Sequence, residues 1–177
     1  MKTFSREILV TLIVAVVIFL LLNATIQTSV VRYSSMEPGL EEGQRLLVNK
    51  AIYYFGEPER GDIITFHLPN NPKVTYIKRI IGLPGESIEI KGGTVYIYEN
   101  SNVRELDEPH FIDSPRYSYN GDIIPKDEYF VLGDSRNHAS DSHIWGPVSG
   151  EDIIGKAWLI IWPPGEWGLA PNYSFEE

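Results

Sequence analysis

"IEIKGGTVYIY", residues 88–98, alternates apolar and polar side chains on both sides of Gly92-Gly93. Alternation of period two suits an extended strand with one buried face, and paired glycines supply the positive φ of a tight hairpin turn. The same grammar continues outward in both directions. "RLLVN" (45–49), "DIITFHL" (62–68), "VTYIKRIIGL" (74–83), "SIEI" (87–90), "TVYIY" (94–98), "EYFVLG" (128–133) and "IIGKAWLIIW" (153–162) are rich in β-branched and aromatic residues. Between them, "GEPERGD", "LPNNPK", "GLPGE" and "YNGD" carry the Gly, Pro, Asn and Asp that turns require. The expectation is a mainly β, antiparallel domain. Residues 99–122 are polar without a sustained period and read as an excursion or small subdomain. The Pro- and Gly-rich tail from Trp162 reads as a surface wrap.

The amino terminus follows a different rule. Ile8 to Val31 is 24 residues without a formal charge, and about 20 apolar residues cross a bilayer core as a helix. Residues 1–7 therefore read as a cytoplasmic terminus, 8–31 as a transmembrane anchor and 32–177 as an extracytoplasmic domain. Lys2 and Arg6 precede the span and keep that end in the cytoplasm. The competing reading is a cleavable signal peptide, whose apolar region is usually shorter. The expected location is the cell membrane, single-pass, with the bilayer itself as a partner.

With 177 residues and 43% hydrophobic content, the chain can bury one good core. Its net charge is −9, and without residues 1–31 it holds 13 basic against 23 acidic residues. That balance repels polyphosphate, so nucleic acid is set aside as a partner. The absence of cysteine excludes disulfides, thiolate metal ligands and a cysteine nucleophile.

"VVRYSSMEPGL", residues 30–40, poses the chemical question. A serine there becomes a nucleophile only if another group takes its proton. His67, His110, His138 and His143 are candidate bases, and each alone reads as an ordinary polar residue. Lys78, inside "TYIKRIIGLPGE" (75–86), is the other candidate. Period two sends Tyr76, Lys78 and Ile80 to one face and Ile77, Arg79 and Ile81 to the other. Burial could lower a lysine from about 10.4 to ~8 at a cost of about 3 kcal/mol, leaving an amine able to accept a proton. Alternatively Lys78 snorkels to water and Arg79 makes an ion pair, which the strand by itself favours.

Taken together, "SSMEPGL", "RGDIITF", "TYIKRIIGLPGE" and "GDSRNHASDSHIWG" (133–146), in this order behind an amino-terminal span, resemble the type I signal peptidases. These are membrane-bound serine endopeptidases that remove signal peptides from exported preproteins after small residues. The resemblance implies a signal-peptidase/LexA-like β fold, with Ser35 as nucleophile and Lys78 as general base, and neither metal nor cofactor. It implies an oxyanion hole built from the Ser35 N–H with Ser34 or Tyr33. Met36, Tyr76 and Ile77 become the wall that holds the signal peptide as an added strand. Asp134, Arg136, Asp141 and Ser142 become supports of the last segment, with Ser142 a possible neighbour of Lys78. The sequence departs from the family pattern at Tyr33, at Gly39 where threonine is usual, and at Ala139 where a serine often orients the amine; Ser140 is one residue away. Two other readings compete. One is a self-cleaving regulator of the LexA type, for which no DNA-binding segment is found. The other is a catalytically impaired anchored β-domain that binds extended peptides.

Overall fold

A computed structural model describes residues 2–69, 71–100, 102–109 and 112–175; His110, one of the candidate bases, lies outside them. The chain runs α1 (Lys2–Thr25), β1 (Ile26–Val30), β2 (Arg45–Asn49), β3 (Ile63–Leu68), β4 (Asn71–Gly82), β5 (Ser87–Lys91), β6 (Thr94–Glu99), β7 (Asn102–Glu105), β8 (Tyr119–Asn120), β9 (Glu128–Leu132), α2 (Ser142–Trp145), β10 (Val148–Ser149), β11 (Ile153–Trp162) and β12 (Gly168–Leu169). One antiparallel sheet has the order β1-β2-β11-β3-β4-β9-β10, with β12 also on β11, and a second has the order β7-β6-β5-β8. The mainly β reading holds.

The Gly92-Gly93 hairpin forms as its sequence dictates. The two glycines sit at φ 61° and 88°, and Lys91 faces Thr94 in the β5–β6 register. Its apolar face packs Ile88, Ile90, Val95 and Ile97 on Ile81, Phe130 and Leu132 of the first sheet. The polar stretch 99–122 contributes the edge strands β7 and β8 of this second sheet.

In α1, Arg6–Thr25 has a mean hydropathy of 2.8 with none of that window buried, a length and composition able to cross a membrane. Thr11 interrupts the apolar run at little cost because its hydroxyl donates to the Glu7 carbonyl at 3.0 Å. The charge-free stretch reaches Val31, but the helix closes at Thr25, and residues 26–30 are a strand. Two contacts explain the break. Lys50 takes the Asn23 carbonyl through Nζ and the Thr25 carbonyl through its N–H, both at 2.8 Å, so β2 captures the next residues as its register partners from Ile26↔Asn49 to Val30↔Arg45.

Strand β4 carries the main correction to the alternation argument. Its first residues are exposed, but from Ile77 to Gly82 every residue is buried. Ile77 joins a cluster with Val31, Met36, Leu40 and Leu46. Ile80 joins Ile64, Phe66 and Val131, and Ile81 faces the second sheet. Both faces are covered, so no snorkelling route exists: Lys78 is 3% exposed and Arg79 0%.

Candidate active site

After β1 the chain turns sharply. Tyr33 holds φ 65° and leads into a 3-10 turn over Ser34–Met36. Met36 is the anchor of this turn, buried in the cluster that holds Val31, Leu46, Ile77 and Ala157, with its carbonyl accepting the Leu40 N–H at 2.7 Å. The turn is also held from the far side of the domain, since the Ser35 carbonyl accepts the Ser135 N–H at 3.2 Å. Gly133 makes that approach possible: a Cβ there would lie 2.4 Å from the Ser35 carbonyl oxygen.

These constraints bring Ser35 to Lys78. Lys78 Nζ lies 2.6 Å from Ser35 Oγ and donates to the Ile77 carbonyl at 3.1 Å. It also lies 5.5 Å from the centre of the Tyr76 ring. Burial pushes the Lys78 pKa down from 10.5 to about 8, with Asp141 and then Asp134 pulling weakly the other way. At that value roughly a tenth of the amine is neutral at pH 7.

The neighbouring cation is treated differently. Arg79 forms a two-pronged pair with Asp134, Nε–Oδ1 2.8 Å and Nη2–Oδ2 2.6 Å, and donates through Nη1 to the Gly61 and Pro171 carbonyls. This pair explains Gly39, where a Cβ would sit 2.2 Å from Asp134 Oδ2. A side chain cannot be added there without moving a buried carboxylate.

A groove of about 870 Å³ opens over the pair, lined by Met36, Tyr76 and Ile77 as expected from sequence, and by Tyr33. Its other wall is formed by residues 27–30 of β1 with Val31 and Arg32 after them, where the sequence pattern predicts membrane anchor up to Val31. His138 and Ser140 also line it. Both long walls are open strand edges. β1 is the outermost strand of its sheet, and β4 pairs with β3 over Asn71–Arg79 but with β9 only from Arg79 onward.

The remaining sequence candidates lie around the site. The Ser35 N–H is in the first turn of its 3-10 segment, where no intrahelical acceptor exists. The Tyr33 N–H is held by Glu42 Oε1 at 3.2 Å and its ring is 74% exposed. Ser34 is exposed outside the groove lining. Asp134, Arg136, Asp141 and Ser142 brace the 133–146 segment rather than touch the groove. Arg136 Nε donates to the Gly133 carbonyl at 3.0 Å and its Nη1 to Glu108 at 2.7 Å. Asp141 accepts the Gly133 N–H at 3.0 Å and lies 2.5 Å from His143 Nδ1. Ser142 Oγ accepts the Val131 N–H at 2.9 Å, so it is a strand clamp and not a partner of Lys78. Ala139 packs against Gly133; Ser140 makes no hydrogen bond to Lys78, and the Ile77 carbonyl is what orients the amine. Glu108, the partner of Arg136, had no signal in sequence. Among the described residues, no group of three or more His, Asp or Glu is arranged to hold a metal ion.

The family described as signal peptidase, peptidase S26, matches residues 5–162. A probable signal peptidase I-1 of Synechocystis sp. is 36% identical over 97% of this chain and 90% of its own length. A signal peptidase I of Leptolyngbya laminosa is 43% identical over 78% of this chain and 71% of its own. A solved structure, a signal peptidase I from Enterococcus faecalis V583, is 30% identical and aligns with a TM-score of 0.48, covering 57% of this chain and 97% of that one.

Proposed function

Because this chain belongs to the signal peptidase family, peptidase S26, we propose that it cleaves signal peptides from exported preproteins with Ser35 as nucleophile and Lys78 as general base. The observation that carries this reading is the 2.6 Å approach of Lys78 Nζ to Ser35 Oγ in a setting that lowers the amine pKa to about 8. Geometry and proton affinity then agree, which is what a general base needs.

The steps follow from the groups present. A neutral Lys78 that spends one N–H on the Ile77 carbonyl can aim its lone pair at the Ser35 hydroxyl. As Oγ attacks the scissile carbonyl, its proton passes to Nζ. The developing oxyanion meets the Ser35 N–H, with the Tyr33 phenol, which lines the groove where Ser34 does not, as second donor; one such donor is typically worth about 2.7–4 kcal/mol. The ammonium protonates the leaving amine, and the regenerated amine activates the water that hydrolyses the acyl-enzyme.

Substrate enters as an added strand. The free edges of β1 and of β4 before Arg79 offer backbone partners to an extended peptide, while Met36, Tyr76 and Ile77 supply apolar contact for small side chains. With Lys2 and Arg6 on the cytoplasmic side, α1 would span the membrane and hold the groove on the outer side, close to where a translocated signal peptide ends.

The test is processing of a preprotein in vesicles by wild type, Ser35→Ala and Lys78→Ala. Each substitution should lower the rate by roughly 10³–10⁴-fold or more, and the pair together by little beyond either alone, as for groups acting as a unit. Processing that survives both changes would sink the dyad. A wild type that binds the preprotein but never cuts it would restore the peptide-binding alternative.

A further inference from the structure

The domain that follows α1 is acidic, and its groove is not. Among the described residues that line the groove, Arg32, Lys73 and Lys78 are basic and none is Asp or Glu, although residues 32–177 hold 13 basic against 23 acidic side chains. Lys78 is occupied by Ser35 and the Ile77 carbonyl. Arg32 and Lys73 are exposed, and among the described residues neither side chain has an ion-pair partner. Glu42, the carboxylate that holds the Tyr33 N–H at 3.2 Å, is not part of the lining. Elsewhere the fold pairs its buried cations: Arg60 with Glu86, Arg79 with Asp134 and Arg136 with Glu108. Two unpartnered cations in a groove, on a domain of opposite sign, reverse the local field that an incoming chain meets.

Lys73 has a defined place along this groove. β2 runs toward α1, and its pairing through β11 and β3 puts the Asn71 end of β4 on the α1 side and the Gly82 end on the far side. Lys73 therefore lies toward α1 from the dyad. It stands five positions before Lys78, roughly 17 Å away at about 3.4 Å per extended residue. A signal peptide whose apolar part stays in the bilayer that α1 crosses enters from the α1 end. Added along β4, its residues about four to six before the cut pass Lys73.

We propose that Lys73 is a specificity residue of the groove: it selects signal peptides that carry a carboxylate four to six residues before the cut and disfavours those with lysine or arginine there. Arg32 adds the same sign on the opposite wall. This selection rests on the processing role proposed above and deepens it to a substrate class. An exposed ion pair is a modest attraction and like charges repel by a similar amount, so the difference between an acidic and a basic substrate combines both. Salt screens it.

The test uses the full chain in a nonionic detergent, which supplies no charged lipid. Synthetic signal-peptide substrates span the cut and differ only at the fifth residue before it, which is Glu, Gln or Lys. Wild type should cut them in that order, with kcat/KM about five- to tenfold higher for Glu than for Lys at low salt and under about threefold higher in about 0.5 M salt. Lys73→Glu should reverse the order, and Arg32→Glu should narrow the range without reversing it. Each comparison is between substrates of one enzyme preparation, so a loss of folded protein cannot produce a reversal. Equal wild-type rates on all three at low salt would overturn the charge selection and leave the processing role standing. No cleavage of any of them would overturn the processing role and the selection with it. An order unchanged in Lys73→Glu, or reversed by Arg32→Glu alone, would overturn the assignment to Lys73.

Discussion

Lys78 and Arg79 are consecutive, both buried, and opposite in fate. Arg79 meets a full carboxylate and two carbonyls, so its charge is paired and serves the fold. Lys78 meets a hydroxyl and one carbonyl, with no carboxylate in hydrogen-bond contact, so its burial favours the neutral amine. A strand covered on both faces can thus keep one cation charged and push its neighbour toward neutrality. The difference lies in what each face supplies. Wherever one strand buries two cations, the one denied a counter-ion is the one to suspect of proton transfer.

The comparison can be broken first on the arginine side. Asp134→Ala leaves Arg79 buried without its partner and should cost roughly 3–5 kcal/mol, read as a fall in the denaturation midpoint of the full chain in detergent. Loss of under about 1 kcal/mol would mean that the pair is not what holds this face. On the lysine side the sign reverses. The folded pKa of about 8 lies below the ordinary 10.5, so the native state binds fewer protons than the unfolded chain between those values. The penalty of burying the amine is complete below pH 8, about 3 kcal/mol, and fades as pH climbs to 10.5. Lys78→Met should therefore abolish cleavage and yet raise stability by up to that amount at pH 7, with a smaller gain at pH 10. A variant less stable than wild type at both pH values would contradict the assignment of an unpaired buried amine.

A smaller effect tests the space between the two regions. Gly39→Thr, which restores the residue common in the resembling family, should destabilise by about 1–3 kcal/mol because its Cβ enters the Asp134 carboxylate. Smallest is a shift in the rate profile. Cleavage should rise with pH through about 8 as Lys78 loses its proton. Asp141→Asn removes the larger of the carboxylate influences that favour the ammonium, so that rising limb should move to lower pH. A limb that stays in place or moves upward would show that Asp141 does not act on the amine.

The β segments were legible wherever the information was local. The 88–98 hairpin is written in its own alternation and glycines. β4 was found for its apolar run, but its two-sided burial was not, because period two cannot say what covers the second face. β1 was missed since "IQTSV" continues a charge-free helix, and only the distant Lys50 and the pairing with β2 end that helix at Thr25. β7 and β8 borrow their order from β6 and β5, so their own residues carry little pattern. At the site, Ser35 and Lys78 came from the motif resemblance; no local feature of either segment announces a contact 43 residues apart. Glu108 was invisible for the same reason; Gly133 stood in the 133–146 motif, but its close approach to the Ser35 carbonyl is defined by what lies across the fold.

Gly133 has a final consequence, for the order in which the chain is made. Ser35 and Lys78 are both translated within the first half, but Ser35 is held in place by a brace from residues 133–135, and β4 gains its second strand partner only from β9. An unfinished chain on the ribosome therefore carries a serine and a wet, cationic lysine with nothing to align them. Alignment of Ser35 with Lys78 is thus expected only once residues 133–135, in the final third of the chain, are in place.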